Sequence, residues 1–156
     1  MGLLTPLAIR IGGISWMPRL LPQIVWVDRL IQRTTRGRFT LLDIAGLPNG
    51  MLTVAGRKTG QPRSTPLLCV PYGSGYVIAG SYFGGPKEPM WVANLEAATT
   101  ATFRFKGRTL TVTPTRVGPD ERPAVWAHAL KTWPNFAKYE QRTSREIKLF
   151  ELTPTG

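Results

Sequence analysis

Between Gly56 and Thr65 the chain reads Gly56-Arg57-Lys58-Thr59-Gly60-Gln61-Pro62-Arg63-Ser64-Thr65, which gathers three cations, three hydroxyls and two glycines. Glycine lets backbone N–H groups come close to an anion. Thr and Ser hydroxyls donate further hydrogen bonds, and Arg offers a planar fork that matches carboxylate or phosphate. The chemistry is recognition of an acidic ligand, although the spacing is not that of a Walker phosphate loop and a solvated basic turn is the plain alternative. Two other reactive side chains stand alone, the single cysteine Cys69 and the single histidine His128. Cys69, inside the apolar run Leu67-Leu68-Cys69-Val70, reads as a small buried hydrophobe rather than a nucleophile. His128 has no acid or Cys cluster to accompany it and reads as a surface or helix residue rather than a metal ligand, so no metal is expected.

The basic stretch needs elements to hold it. Met51-Leu52-Thr53-Val54 leads in and Leu67-Leu68-Cys69-Val70 leads out, so the segment from Val54 to Leu67 reads as the connection of a hairpin. Tyr72 to Gly75 is a turn before the next strand, Tyr76 to Ala79. Pro89 opens a helix through Glu96 with proline in its first turn. Ala101 to Phe105 and Thr109 to Val117 form a second hairpin about a Lys106-Gly107 turn. A helix starts at Pro119-Asp120-Glu121, with acids at its positive end and Val125, Trp126, Ala129 and Leu130 on one side. Trp133-Pro134 ends it, a short helix follows from Phe136 to Thr143, and a strand from Ile147 to Leu152 closes the chain. About six antiparallel strands with peripheral helices read as a mostly β fold, a small barrel.

Residues 1–36 form a distinct apolar and basic segment ahead of a barrel at residues 37–156, the whole being one domain. Pro6, Gly12-Gly13, Pro18 and Pro22 interrupt it, so no apolar run reaches the roughly 18 residues of a membrane span, and arginines inside it argue against a secretory signal. From Pro22 to Arg33 apolar residues recur at helical spacing at Ile24, Val27, Leu30 and Ile31. This helix is expected to cover the barrel mouth or to lie on an anionic membrane surface with Trp16 and Trp26 at the headgroups; ordinary docking on the domain is the simpler alternative.

With 156 residues, 20 Lys and Arg against 9 Asp and Glu, and a formal net charge of +11, the chain is drawn to something acidic: nucleic acid, anionic lipid or a polyanionic small molecule. No recognition helix or aromatic-basic sheet motif supports nucleic acid. A single cysteine admits no internal disulfide and suits a reducing compartment, so a cytoplasmic location is expected, with peripheral attachment to the inner face of the membrane left open.

The succession Gly56-Arg57-Lys58-Thr59-Gly60-Gln61-Pro62-Arg63, Pro66-Leu67, Gly84-Gly85, Pro89-Met90-Trp91, Asn94-Leu95, Trp133-Pro134 to Tyr139 and Arg145-Glu146-Ile147 resembles the deazaflavin (F420)-dependent nitroreductase family over about residues 35–154. The resemblance implies a split β-barrel like that of FMN-binding oxidoreductases, and coenzyme F420 in place of ordinary flavin. It implies that Arg57, Lys58, Thr59, Gly60 and Arg63 hold the phosphodiester and glutamate tail. Pro66, Leu67, Ser81, Gly84, Gly85, Met90, Trp91 and Asn94 would border the coenzyme. Hydride would pass to an electron-poor enone, quinone or nitroaromatic, with Tyr139, Tyr82 or Ser81 as proton donor.

The chain departs from the family's best-known pattern at Ser81-Tyr82-Phe83-Gly84-Gly85, which lacks a lysine, at Val92, which replaces a tyrosine, and at Trp133, Phe136 and Tyr139, which keep one phenol of three. A hydrophobic acceptor pocket is expected where Trp26 and Leu30 of the amino-terminal helix meet Trp133, Phe136 and Tyr139 over the ring. Split barrels often pair, so a homodimer is left open. Two other classes compete with the oxidoreductase: a non-catalytic relative that binds lipid, fatty acid or coenzyme, and a basic membrane-surface or nucleic-acid binder.

Overall fold

The computed structural model describes residues 3–14, 16–36 and 39–155. The expected boundary between the amino-terminal segment and the barrel falls at Gly37, outside the described residues. Seven strands, β1 (Asn49–Ala55), β2 (Pro62–Leu68), β3 (Val70–Tyr72), β4 (Gly75–Ala79), β5 (Ala101–Phe105), β6 (Arg108–Arg116) and β7 (Leu149–Pro154), form one sheet in the order β2-β1-β5-β6-β7-β4-β3. Every neighbouring pair is antiparallel.

That order dictates the shape. β2 and β3 are joined through Cys69 alone, yet they are the two outer strands of the sheet. The sheet must therefore curl until its edges approach, which makes a barrel with a slot between them. The Cys69 N–H donates to the Pro48 carbonyl at 3.0 Å and anchors the junction.

The strand sequences record which faces are covered. β1 alternates, with Leu52 and Val54 buried and Met51 and Thr53 half-buried. β4 and β7 instead bury successive residues because they lie between two cores. Ile78, Phe150 and Leu152 join Leu52, Phe103, Trp91, Val92 and Leu95 on one side. Val77 and Leu149 join Val125, Ala129, Trp133, Phe136, Tyr139 and Ile147 on the other.

Six helices surround the sheet: α1 (Thr5–Gly12), α2 (Leu21–Thr34), α3 (Leu41–Ile44), α4 (Met90–Glu96), α5 (Arg122–Thr132) and α6 (Asn135–Arg142). Pro89 is the N-cap of α4 rather than its first turn. α5 begins at Arg122, and Glu121 at its N-cap makes no side-chain cap, so the acids precede the helix instead of lying in its first turn. α3 is a single turn whose amino end Thr40 and Asp43 cap reciprocally. The last strand starts at Leu149 rather than Ile147. The lead-out arm of the first hairpin starts at Pro62, so Arg63, Ser64, Thr65 and Pro66 belong to β2 and the connection is only residues 56–61.

The amino-terminal segment is tied into the fold. Thr5 Oγ1 donates to the Ala45 carbonyl at 3.1 Å, Asn135 Nδ2 to the Ile9 carbonyl at 2.5 Å, and Arg142 Nη2 to the Gly13 carbonyl at 2.5 Å. Among the described residues no helix is long and apolar enough to cross a membrane.

Candidate functional site: a cleft at the edge of the sheet

The 56–61 turn is closed by its own backbone. The Gly56 N–H donates to the Gln61 carbonyl at 2.8 Å and the Gly60 N–H to the Gly56 carbonyl at 2.7 Å. Gly60 has φ +71°, a conformation glycine adopts without strain. Asn94, buried on α4, fixes the turn from below: its Oδ1 accepts the Arg57 N–H at 3.1 Å and Arg57 Nη1 at 3.4 Å. Lys58, Thr59 and Gly60 are left exposed at the tip, and Arg63 is exposed where β2 begins. No Asp or Glu among the described residues forms an ion pair with Arg57, Lys58 or Arg63. The acids Glu88, Glu96, Glu146 and Glu140 are engaged elsewhere, by Lys148, Arg116 and Arg122.

From this turn β2 runs along a cleft of about 540 Å³, a size within the range of ligand sites. Ser64 to Leu68 form one wall, Trp91 of α4 and Trp133, Phe136 and Tyr139 form the interior, and Ala79, Ser81 and Tyr82 form the opposite lip. Pro62 and Pro66 pair in register with Ala55 and Met51. Residues of one parity in a strand direct their amides to one side, and proline has no amide to give. The ladder to β1 therefore runs through Arg63, Thr65 and Leu67, and the Ser64 amide and the Pro66 carbonyl point out of the sheet at its free edge. A planar ligand at that edge meets both a donor and acceptors.

Several expected site residues line the cleft: Pro66, Leu67, Ser81, Tyr82, Trp91, Trp133, Phe136 and Tyr139. Others do not. Trp26 and Leu30 are 65% and 45% exposed on the outer side of α2, and the helix offers the cleft Ile24, Val25, Asp28, Arg29 and Gln32 instead. Met90, 72% exposed, also lies outside it. Gly84 and Gly85 are buried against protein. A Cβ on Gly84, which has φ +74°, would stand 2.7 Å from the Tyr139 carbonyl oxygen, and one on Gly85 would stand 3.1 Å from the Tyr82 carbonyl oxygen. Gly84 lets the 81–85 turn close onto α6, and Gly85 lets it fold back against Tyr82.

Two cleft features had little signal in the sequence. Asp28 is the only acid in the first 42 residues, and that isolation was the one available cue. Its carboxylate accepts the Leu41 N–H at 2.8 Å and Gln32 Nε2 at 2.6 Å, and so joins α2 to α3. Ile24, one of the helically spaced apolar residues of α2, also enters the lining, as do Val25, Leu41 and Leu42, which had no cue.

The Tyr139 phenol accepts the Trp133 indole N–H at 3.3 Å. Burial pushes its pKa up to about 12, against the lowering effects of that hydrogen bond and of Arg142, so it stays protonated at neutral pH. Such a phenol donates a hydrogen bond to developing negative charge better than it gives up a proton. Cys69 is fully buried, and burial pushes its thiol up to about 12 as well, which leaves it inert. His128 Nε2 donates to the Pro71 carbonyl at 2.8 Å and the ring stands edge-on to Tyr72, a link between α5 and β3. Among the described residues no group of His, Cys, Asp or Glu could hold a metal ion.

A split barrel with an aromatic cleft along its edge strand, continuous with an unpaired basic turn, has the shape and charge that suit a flat ligand carrying an anionic tail. The chain belongs to the F420H(2)-dependent quinone reductase family, whose model matches residues 26–154, and so to oxidoreductases that use coenzyme F420. It is 31% identical over 134 residues to an F420H(2)-dependent quinone reductase of Mycobacterium tuberculosis, covering 84% of this chain and 90% of that protein. A putative F420H(2)-dependent quinone reductase of Mycobacterium bovis matches to the same extent. Among solved structures, an F420-H2 dependent reductase (FDR-A) superposes with TM-score 0.62 at 30% identity, over 67% of this chain and 93% of that one. A domain-swapped dimer superposes with TM-score 0.65 at 28% identity, over 81% and 96%.

Proposed function

We propose that the cleft seats the deazaflavin ring against the β2 edge and Trp91, that Arg57, Lys58 and Arg63 with Thr59 and Gly60 hold its phosphate and glutamate tail, and that a quinone-type acceptor stacks over the ring. The observation that carries this reading is continuity. One edge strand leads from the unpaired basic turn directly into the aromatic cleft, so a single ligand with an anionic end and a planar end is matched by a single run of residues. When bound, reduced F420 supplies the hydride.

The chain's own residues do the rest. Trp91, Trp133 and Phe136 exclude water from the ring's surroundings. The Tyr139 hydroxyl and the Ser81 hydroxyl act in this reading as the donors that stabilise charge developing on an acceptor oxygen, supported by the presence of both residues in the cleft lining. Enones and nitroaromatics share the electron-poor character of quinones and are expected to be slower alternatives.

Two wider aspects follow from the same reading. A homodimer is proposed by analogy with the domain-swapped relative. A cytoplasmic enzyme in peripheral contact with the inner membrane is supported by the exposed Leu3, Leu7, Ile11, Trp16, Trp26 and Leu30, which share the amino-terminal segment with Arg10, Arg29 and Arg33. Incubation with reduced coenzyme and a panel of quinones, enones and nitroaromatics tests the activity, read as reappearance of oxidised coenzyme. Oxidation with a quinone is expected. Failure to bind the coenzyme, or displacement of it by flavin mononucleotide at equal concentration, would overturn the assignment.

A further inference from the structure

The segment from Gly80 to Gly85 brings Ser81 and Tyr82 to the cleft lip, and one side chain organises it. Arg145 Nη1 donates to the Gly80 carbonyl at 3.0 Å, Nη2 to the Ser81 carbonyl at 3.0 Å, and Nε to the Gly85 carbonyl at 3.1 Å. Inside this frame lies Tyr82, at φ +44°, a left-handed conformation that costs a residue with a Cβ roughly 1–2 kcal/mol. Two amides close the turn on itself, Gly84 N–H to the Ser81 carbonyl at 2.8 Å and Gly85 N–H to the Tyr82 carbonyl at 2.9 Å. Strain of this kind persists only where the surroundings over-determine it, and it gathers at ligand clamps. Tyr82 lines the cleft, and it is 41% exposed although its neighbours Gly84 and Gly85 are buried.

We propose that Arg145 is a positioning residue which, by gathering the carbonyls of Gly80, Ser81 and Gly85, holds Tyr82 at the cleft lip, and that Tyr82 in that position sets the size of acceptor admitted. The inference rests on the oxidoreductase reading for its second half only. A guanidinium is needed because three carbonyls spread around a turn call for a planar fork with donors on three nitrogens. An ammonium at the same place offers one nitrogen. Burial draws the guanidinium pKa below its usual value, against the raising effect of Glu88, so the contacts are made by a group partly withdrawn from water. The glycines agree with this, since Gly84 gives the turn its close approach to α6 while Arg145 holds the other side.

The test uses Arg145→Lys and Arg145→Gln together with Tyr82→Ala and Tyr82→Gly. The protein has four tyrosines, so 3-fluorotyrosine labelling yields four fluorine signals, and Tyr82→Phe assigns the relevant one. In both Arg145 variants the Tyr82 signal is expected to shift or broaden while those of Tyr72, Tyr76 and Tyr139 stay. An unmoved Tyr82 signal in folded Arg145→Lys overturns the proposal, whatever the acceptor.

The second readout is the ratio of kcat/KM for a small and a bulky quinone. Arg145→Lys and Tyr82→Ala should each change it by about tenfold or more, as small misplacements at a reacting site do. Coenzyme affinity should be preserved and the double variant should add nothing further. Equal loss on both quinones, or a change in the ratio with Tyr82→Ala that Arg145→Lys does not reproduce, overturns the specificity claim. A wild-type protein that reduces neither quinone refutes the functional reading instead and leaves the fluorine result to decide the positioning.

Discussion

Removing the charges of Lys58 and Arg63 should weaken coenzyme binding in a way that depends on salt, whereas removing Asn94 should weaken it without that dependence. Lys58 and Arg63 are exposed and have no acidic partner among the described residues, so neither is held in place before the ligand arrives. Hydrogen bonds to charged groups contribute roughly 1.5–3 kcal/mol when well formed, and exposed ion pairs only about 0.2–1 kcal/mol. At the mouth of a site, about 0.5–1.5 kcal/mol each is reasonable, so Lys58→Ala/Arg63→Ala should lose about 1–3 kcal/mol, or about 5- to 150-fold in Kd. Because the screening length shrinks from about 10 Å to about 3 Å between 0.1 and 1 M salt, most of that difference should vanish at high salt. Asn94→Ala leaves every cation in place but removes the acceptor for the Arg57 amide and guanidinium. A loss of about 0.5–1.5 kcal/mol is expected there, with the wild-type salt slope. Fluorescence titration of the coenzyme at two ionic strengths measures all three proteins. A double variant that keeps wild-type affinity, or one whose loss is equally large at high salt, would refute electrostatic capture of the tail.

Two further outcomes follow from burial. In the unfolded chain Cys69 and Tyr139 ionise near their ordinary values of 9.0 and 10.0, while in the fold both are pushed up to about 12. Between those values the unfolded state has released protons that the native state keeps. Stability is therefore fully present below about pH 9 and falls as pH rises toward 12, by up to about 1.4 kcal/mol per pH unit for each group. Urea midpoints measured across that window should decline, with the onset near pH 9 lost in Cys69→Ala and part of the slope above pH 10 lost in Tyr139→Phe; a flat wild-type profile contradicts the burial argument. Gly84→Ala must place a Cβ 2.7 Å from a backbone oxygen at φ +74°, so its Tm should fall by at least roughly 2–8 °C, and an unchanged Tm would show that the turn does not press on α6 as described.

The elements legible from sequence were those whose signals are local. The basic turn declares itself because its glycines, hydroxyls and cations are contiguous and lie between the apolar runs Met51-Leu52-Thr53-Val54 and Leu67-Leu68-Cys69-Val70. The cleft does not, because its walls come from α2, β2, the 81–82 lip, Trp91 and α6, and nothing local says that these meet. α2 shows the difficulty. Its apolar spacing at Ile24, Val27, Leu30 and Ile31 describes a helix with a core on one side, but the helix borders an open cleft on one face and solvent on the other. Val27 and Leu30 are exposed, and Asp28, Arg29 and Gln32 line the cleft. Hydrophobic periodicity finds cores, and here it groups Ile24, which lines the cleft, with Val27 and Leu30, which do not. Gly84 has a long-range cause in the same way: the space beside it is taken by Tyr139, from a helix some 55 residues further on in the chain.

The spacing of Pro62 and Pro66 identifies an edge strand. Two prolines four apart share a parity, so in an antiparallel pair they either both face the neighbouring strand or both face away. Facing β1 would remove two ladder bonds from a seven-residue strand; facing away removes none. The pair therefore marks β2 as an edge strand and fixes which side of it is open. The same prolines leave that edge with too few amides to zip onto another strand, which keeps it from pairing with a second chain edge to edge. What remains is a short backbone segment around Ser64, with a donor and carbonyl acceptors in one plane and cations at one end. A sheet edge that cannot be used for pairing is thus open to a ligand, and the chain sets its basic turn at the start of that edge.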